Sequence, residues 1–173
     1  MADVTKVLID DHARLRRLFK AFSWGTYAQA MNICDELIIQ ATIKEELIYP
    51  AVRDEIDPSL ATKAEDGQER IKEEMAAICD LDSDDPSLDR MTKRLGETVL
   101  RQIEMEETMI LPKINTVFHD QLLEMGNQVF ALRQELLAVK PTRVGRKAPE
   151  TANTGWGKQL LGRTKGGTAN VGW

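Results

Sequence analysis

Four polar residues interrupt the apolar stripes of four predicted helices, and they are the first candidates for chemistry. They are His12, Gln40, Gln68 and Gln102. Two of these helices also carry a charged residue one turn later, Lys44 and Glu106. A single glutamine at the border of a stripe would turn its amide to solvent. Polar residues at a similar depth on successive inward faces are how a helical bundle builds an internal site, so the repetition favours such a site.

The segments that must position these residues show apolar spacings of three and four, which is typical of amphipathic helices. Strands of alternating Val, Ile and Thr are absent from the sequence. Short connections between long helices favour antiparallel neighbours. We therefore predict an all-α fold, an up-down-up-down four-helix bundle with an additional C-terminal helix and a flexible tail. The predicted helices are 4–22, 27–52, 58–79, 86–115 and 120–139.

An internal repeat lies within two of these helices. Residues 40–50 align without gaps on residues 102–112, and in both a Gln is followed by Glu five, Ile eight and Pro ten residues later. A proline late in a helix removes a backbone hydrogen bond and crowds the preceding turn. We predict that each proline kinks its helix or ends it locally.

The charge of the chain divides it into two parts. Residues 1–139 hold 16 Lys and Arg against 27 Asp and Glu, whereas residues 140–173 hold seven against one, together with seven of the eleven glycines. We predict a helical domain over 1–139 and a basic, Gly-rich, disordered tail over 140–173. An acidic body argues against nucleic acid as the main partner.

The sequence shows neither a targeting segment nor a cysteine motif. No apolar run reaches the roughly 20 residues of a membrane span, and the acidic N-terminus does not resemble a signal peptide. A cytoplasmic protein is the expectation. Cys34 and Cys79 lack Cys-x-x-Cys spacing and are predicted to be small buried residues. His119 lies outside the stripes and is predicted to occupy an exposed turn.

Over about residues 4–115 the chain resembles the hemerythrin-like, HHE cation-binding family. The resemblance rests on Asp11-His12 and on the segments 45–50, 64–72 and 106–112. It implies a four-helix bundle that holds two iron ions for oxygen binding, for iron or oxygen sensing, or for oxidative chemistry. The family's ligands are His in helix one, His-x3-Glu in helix two, Glu-His in helix three and His-x3-Glu in helix four.

Most of these ligand positions are substituted in this chain. His12 matches the first histidine and Glu106 the carboxylate of helix four, so these two remain as metal candidates. The three other histidine positions read Gln40, Gln68 and Gln102, and the carboxylate position of helix two reads Lys44. An amide is a poor ligand for iron, and an ammonium beside a dication costs several kcal/mol.

These substitutions favour a metal-free polar core. The glutamines would join one hydrogen-bonded network, and Lys44 would replace the metal charge by pairing with Glu106. No cofactor is then expected. Since the sequence shows no nucleophile–base pair and no phosphate loop, it favours a non-catalytic binding or scaffolding module over an enzyme.

A second interpretation stays open at this point. In it, the chain binds iron through an altered ligand set and responds to oxygen or iron. That set would consist of His12, Glu45, Glu106 and Glu107.

The tail carries two copies of Thr-Ala-Asn-x-Gly-Trp, which end at Trp156 and Trp173. Tryptophan anchors are typical of binding hot spots, and two linked copies increase avidity. The tail is therefore predicted to dock on a protein partner. The alternative is a local duplication without a role.

Overall fold

The computed structural model describes residues 2–139, and the predictions for residues 140–173, including Trp156 and Trp173, lie outside them. The described residues form an all-α bundle, as predicted. Helix α2 has three parts, with a π-helical turn in the middle, and so has α4. The helices are α1 (Val4–Ala21), α2 (Tyr27–Ile43, the π turn Lys44–Ile48 and Tyr49–Glu55), α3 (Pro58–Cys79), α4 (Leu88–Met105, the π turn Glu106–Ile110 and Leu111–Val117) and α5 (Leu122–Val139).

Side-chain caps explain where three of the helices begin. The Asp3 carboxylate accepts a hydrogen bond from the backbone N–H of Lys6 at 2.8 Å. Thr26 and Gln29 form a reciprocal capping box at the start of α2. Asp57 caps α3 just before Pro58, whose missing N–H costs nothing at the first helical position. Each cap satisfies backbone donors that the helix leaves unpaired.

Of the two predicted effects of the prolines, a kink or a local end of the helix, the local end is wrong. Before Pro50 the backbone N–H of Tyr49 bonds to the carbonyl of Lys44, five residues back. Before Pro112 the N–H of Leu111 bonds to the carbonyl of Glu106 in the same way. Each wide π turn is followed at once by an α-helical segment that begins around the proline. A proline near the start of a segment lacks only an N–H that this segment does not use, so both helices continue.

The apolar core lies between the helices and is built from their predicted stripes. Helix α1 packs against α2 and α5, and α3 packs against α4 and the last part of α2. The core is rich in fully buried isoleucines, and these include Ile39, Ile43, Ile48, Ile110 and Ile114. In residues 2–139 no helix is both long and apolar enough to cross a membrane.

The two cysteines differ in their exposure. Cys34 is buried, as predicted, but Cys79 is exposed, so the prediction that both are buried is wrong for the second. Cys79 is the last residue of α3, where the helix leaves the core. A hydrogen bond with Cys79, together with burial, raises the pKa of the Cys34 thiol. His119 is largely exposed beside Asp120, in a turn as predicted.

Candidate functional site

A buried carboxylate, Glu106, lies at the centre of the candidate site and accepts four hydrogen bonds. One of its oxygens, Oε2, is 2.6 Å from Lys44 Nζ and 2.9 Å from His12 Nε2. The other oxygen, Oε1, is 2.6 Å from the Tyr49 hydroxyl and 3.1 Å from Gln102 Nε2. All five side chains are buried. We call this group, His12, Lys44, Tyr49, Gln102 and Glu106, the polar cluster.

The π turn of α2 explains how two donors reach the same carboxylate. Lys44 and Tyr49 are five residues apart, a spacing that places side chains on different faces of an α-helix. A π-helical turn closes over five residues, and the bond from Tyr49 N–H to the Lys44 carbonyl shows that closure. Both side chains therefore point to Glu106, which itself begins the π turn of α4.

A second carboxylate connects the polar cluster to the surface. His12 Nδ1 is 3.0 Å from Glu107 Oε1. The Arg16 guanidinium donates to both oxygens of Glu107, at 2.9 and 2.8 Å, and such paired bonds are among the stronger ones in proteins. The hydrogen bonds from Arg16, and more weakly His12, hold the pKa of Glu107 below its usual value.

The electrostatics of the polar cluster keep Glu106 ionised. Burial acts to raise the pKa of this carboxyl, but the charge of Lys44 and the hydrogen bond from His12 outweigh burial, and the pKa falls to about 2. Burial and the neighbouring Glu106 charge raise the pKa of Tyr49 well above its usual value, so its hydroxyl remains a donor. The predicted pairing of Lys44 with Glu106 is therefore present and fully buried.

The three glutamines do not form one network, contrary to the prediction. Gln102 joins the polar cluster and also donates to the Ala64 carbonyl at 3.0 Å. Gln40 is turned away: its Nε2 donates to the Asp11 carbonyl at 3.2 Å and to Glu36 at 2.9 Å. Its buried Oε1 has no hydrogen-bond partner among the described residues.

Gln68 is equally buried, at 3% exposure. No hydrogen bond within residues 2–139 links its amide to the polar cluster. The spacing of apolar residues in the sequence predicts that all three glutamines face inward. It does not predict which hydrogen-bond partners each amide finds there.

The ligand set of the iron-binding alternative is only partly assembled. His12, Glu106 and Glu107 come together, but Glu45 instead forms an ion pair with Lys72 of α3. Lys72 is itself 8% exposed. Glu45 therefore neutralises a nearly buried cation, and no hydrogen bond or ion pair within residues 2–139 links it to the other three residues.

Two members of the site escaped the sequence analysis. Tyr49 belongs to the segment 45–50, for which the sequence predicted no contact with Glu106, and only a π turn brings it beside Lys44. Arg16 follows His12 by one helical turn, and this spacing was the available signal for its place beside Glu107.

The polar cluster does not suit a pair of iron ions. A carboxylate offers about four lone-pair positions, and the four donors around Glu106 use all of them. Lys44 brings a positive charge to the carboxylate that a metal would need. The cavity beside Lys44, Tyr49 and Glu106 measures about 10 Å³, which is room for about one water molecule. Within residues 2–139, no group of three or more His, Cys, Asp or Glu side chains is arranged to hold a metal ion.

Comparison with solved structures supports the predicted fold. The chain is similar to a hemerythrin HHE cation-binding domain-containing protein from Mycobacterium kansasii, with a TM-score of 0.70 and 18% sequence identity. The match covers 80% of this chain and 89% of that one. No family model and no curated protein sequence matches the chain. At this identity the similarity establishes a hemerythrin-like fold and nothing finer.

Proposed function

We propose that this chain is a hemerythrin-like domain that holds no metal at the polar cluster and acts as a non-catalytic binding or scaffolding module. The observation that carries the proposal is the buried contact of 2.6 Å between Lys44 and Glu106. A lysine at a family ligand position neutralises the remaining carboxylate, so the fold balances its buried charge without a cation from outside.

The state of the remaining ligand candidates supports this role. His12 is fully buried, and both its ring nitrogens face carboxylates. Each ring nitrogen therefore has a carboxylate partner of its own, Glu107 at 3.0 Å and Glu106 at 2.9 Å. A ring engaged on both sides has no free nitrogen for a metal. The polar cluster then holds α1, α2 and α4 together, and binding would occur on the surface of the domain.

We extend the proposal to the domain boundary, the cellular location and the tail, which the comparison of folds does not address. Residues 1–139 form the binding domain of a cytoplasmic protein, and residues 140–173 form a separate basic tail. Trp156 and Trp173 in its two repeats would anchor a protein partner. Iron binding through an altered ligand set is the alternative against which the proposal is tested.

The direct test is metal analysis of the full chain after expression in iron-supplemented medium, together with an absorbance spectrum. We expect iron well below one equivalent and no charge-transfer band. Near-stoichiometric iron with such a band would overturn the proposal.

A four-site variant makes the same test sharper. It restores the family ligands through Gln40→His, Gln68→His, Gln102→His and Lys44→Glu. Without metal it should melt below the parent, since it buries an unpaired carboxylate, and Fe²⁺ should raise its melting temperature because metal binds the folded form.

A matched control retains Lys44 and restores only the three histidines. Iron should raise the melting temperatures of this control and of the parent only slightly. Equal stabilisation of parent and four-site variant would refute the proposal. If iron stabilises none of the three proteins, the family's ligand positions do not converge in this chain.

A further inference from the structure

A groove on the surface, away from the centre of the polar cluster, lies between the C-terminal half of α1 and the first part of α4. Its volume is about 440 Å³, within the range of ligand sites. Its apolar walls include Phe19, Phe22 and Leu100, and its cationic rim includes Lys20 and Lys93. We call this feature the basic groove.

The charge around the basic groove is opposite to that of the domain. The flanking segments 14–20 and 90–101 contain eight Lys and Arg but a single acid, Glu97. The other residues of 1–139 contain eight Lys and Arg against 26 Asp and Glu. Half of the domain's cations therefore belong to two segments of 19 residues in total, and three of them, Arg16, Lys20 and Lys93, line the groove against the single acid Glu97. This surplus of positive charge favours an anionic partner at this surface.

A residue that lines the basic groove carries an unsatisfied hydroxyl. This residue, Thr92, is 1% exposed, and its Oγ1 has no hydrogen-bond partner among residues 2–139. A buried hydroxyl without a partner costs stability. Since a hydroxyl both donates and accepts, a polar group entering the groove would satisfy it.

An exposed aromatic ring stands beside the rim. Trp24, in the turn between α1 and α2, is 86% exposed, and Lys93 Nζ lies 5.3 Å from the centre of its ring. Its φ of 54° is in the left-handed region, which is unfavourable for a bulky side chain. Neither burial nor backbone preference explains a tryptophan here, whereas contact with a partner would.

We propose that the basic groove binds a segment of a partner protein in which an aromatic or large aliphatic residue is flanked by Asp or Glu. The anchor would pack against Phe19, Phe22 and Trp24, and the acids would meet Lys20 and Lys93. The exposed pair between Lys93 and Asp89 at 2.7 Å is of the weak i,i+4 kind, so a ligand acid replaces it at little cost. This inference rests on the proposed binding role and names its partner.

The charge of the whole domain selects a peptide over a nucleic acid. Residues 1–139 carry a net charge of −11, which repels an extended polyanion. A short acidic segment stays within the cationic surroundings of the groove. Apolar walls around a single hydroxyl also suit one anchored side chain better than a phosphate backbone.

The experiment is a selection of random dodecapeptides on the full chain, with counter-selection on the variant Lys20→Glu/Lys93→Glu. We expect enriched peptides that combine an aromatic or large aliphatic residue with at least two acids. A selected peptide is then synthesised with a fluorescent label and titrated by anisotropy. Lys93→Glu should weaken binding at least ten-fold, and Lys113→Glu, the same change at an exposed site on the last part of α4, should leave it within two-fold.

Two further variants separate binding from folding. Thr92→Val removes the unsatisfied hydroxyl at constant shape, and Trp24→Gly removes an exposed ring from a left-handed position. Both should melt at or above the parent's temperature and bind the peptide at least five-fold more weakly.

Several results would overturn the inference. In the selection, these are a failure to enrich any peptide and the enrichment of peptides that lack acids. In the titrations, they are parental affinity in both Thr92→Val and Trp24→Gly, and an equal loss of affinity in Lys113→Glu and Lys93→Glu. Tighter binding of a single-stranded oligonucleotide, also lost in Lys93→Glu, would assign the groove to nucleic acid instead.

Metal analysis keeps this inference separate from the proposed function. An iron-loaded protein that still binds the peptide would refute the metal-free domain and retain the groove. A metal-free protein that enriches no peptide would refute the groove alone.

Discussion

The two copies of the internal repeat, residues 40–50 and 102–112, have the same backbone but opposite charges at one position. Each contains a π turn directly before a proline-containing segment. The fifth residue of the first copy is Lys44 and that of the second is Glu106, and these two side chains meet at 2.6 Å. The two copies of one repeat therefore supply a cation and an anion to each other. The comparison shows that a difference at this one position lets two similar segments balance each other's charge at the centre of the bundle.

The sixth position of each copy shows that identical residues acquire different roles from their neighbours. Glu45 in the first copy forms an ion pair with Lys72 of α3. Glu107 in the second copy contacts His12 and Arg16 of α1. Each carboxylate is therefore neutralised by the helix beside its own copy.

The largest expected effect comes from making the two copies alike. Lys44→Glu sets a second carboxylate against Glu106 without a cation between them, and breaking a buried pair typically costs about 3–5 kcal/mol. We expect a loss of this size in the free energy of unfolding, measured by urea denaturation. Lys63→Glu, at an exposed site on α3, should change it by less than about 0.5 kcal/mol. A loss below about 1 kcal/mol in Lys44→Glu would mean that the polar cluster rearranges easily.

The next largest effect is a pH dependence of the unfolding free energy, and it arises from Glu106 in the second copy. The pKa of Glu106 falls from an ordinary 4.5 to about 2, so its ionised form stabilises the fold by about 3 kcal/mol at neutral pH. Because the folded-state pKa is the lower one, this stability is present above pH 4.5 and is lost as the pH falls through 2. The gap in unfolding free energy between parent and Glu106→Gln should therefore shrink between pH 5 and pH 2.5. A constant gap would contradict the assignment.

A smaller loss of stability is expected from a change at the contact between α3 and the second copy. A Cβ at Gly67 would lie 2.0 Å from Gln102 Oε1, so in Gly67→Ala the Gln102 amide must move, which disturbs the bonds of its Nε2 to Glu106 and to the Ala64 carbonyl. We expect a loss of about 1–2 kcal/mol, although the same change elsewhere in a helix usually stabilises. In a Gln102→Ala background the sign should reverse. Thermal melts of the four proteins of this cycle measure it, and stabilisation in both backgrounds would show that the contact is unimportant.

The smallest expected effect concerns the predicted tail. Deleting residues 141–173 should shift the melting temperature of the domain by no more than about 2 °C, since a disordered segment adds little packing. The shift is measured by circular dichroism on the full and shortened chains. A drop of about 5 °C or more would refute the boundary near residue 140.

The sequence predicted the helices well because their apolar stripes and caps are local signals. Helix α3 begins at Pro58 and ends at Cys79, as its cap and spacing predict. The burial of His12, Gln40, Gln68 and Gln102 also follows from spacing alone.

What the sequence did not predict depends on side-chain directions and on helix geometry beyond the α pattern. Gln40 and Gln102 occupy the same position of the repeat, yet only Gln102 reaches Glu106. The difference arises from the partners nearby: Glu36 of its own helix and the Asp11 carbonyl of α1 hold the Gln40 amide. Tyr49 reads as a core residue until the π turn is known, because α-helical spacing turns it away from Lys44.

The π turns also affect how these helices respond to changes in chain length. Each holds one residue more than an α-helical path would need. Deleting one residue from 45–48 should therefore close the π turn into an α turn and leave α2 continuous. Lys44 and Tyr49 would then be four residues apart, a spacing that shares one face of an α-helix, so Tyr49 and the later side chains would keep their faces. Deleting one residue from the α-helical part before Lys44 would instead rotate every later side chain by about 100° relative to those before it. The extra residue in each copy therefore makes these two turns the places where a single-codon deletion would disturb the interior of the domain least.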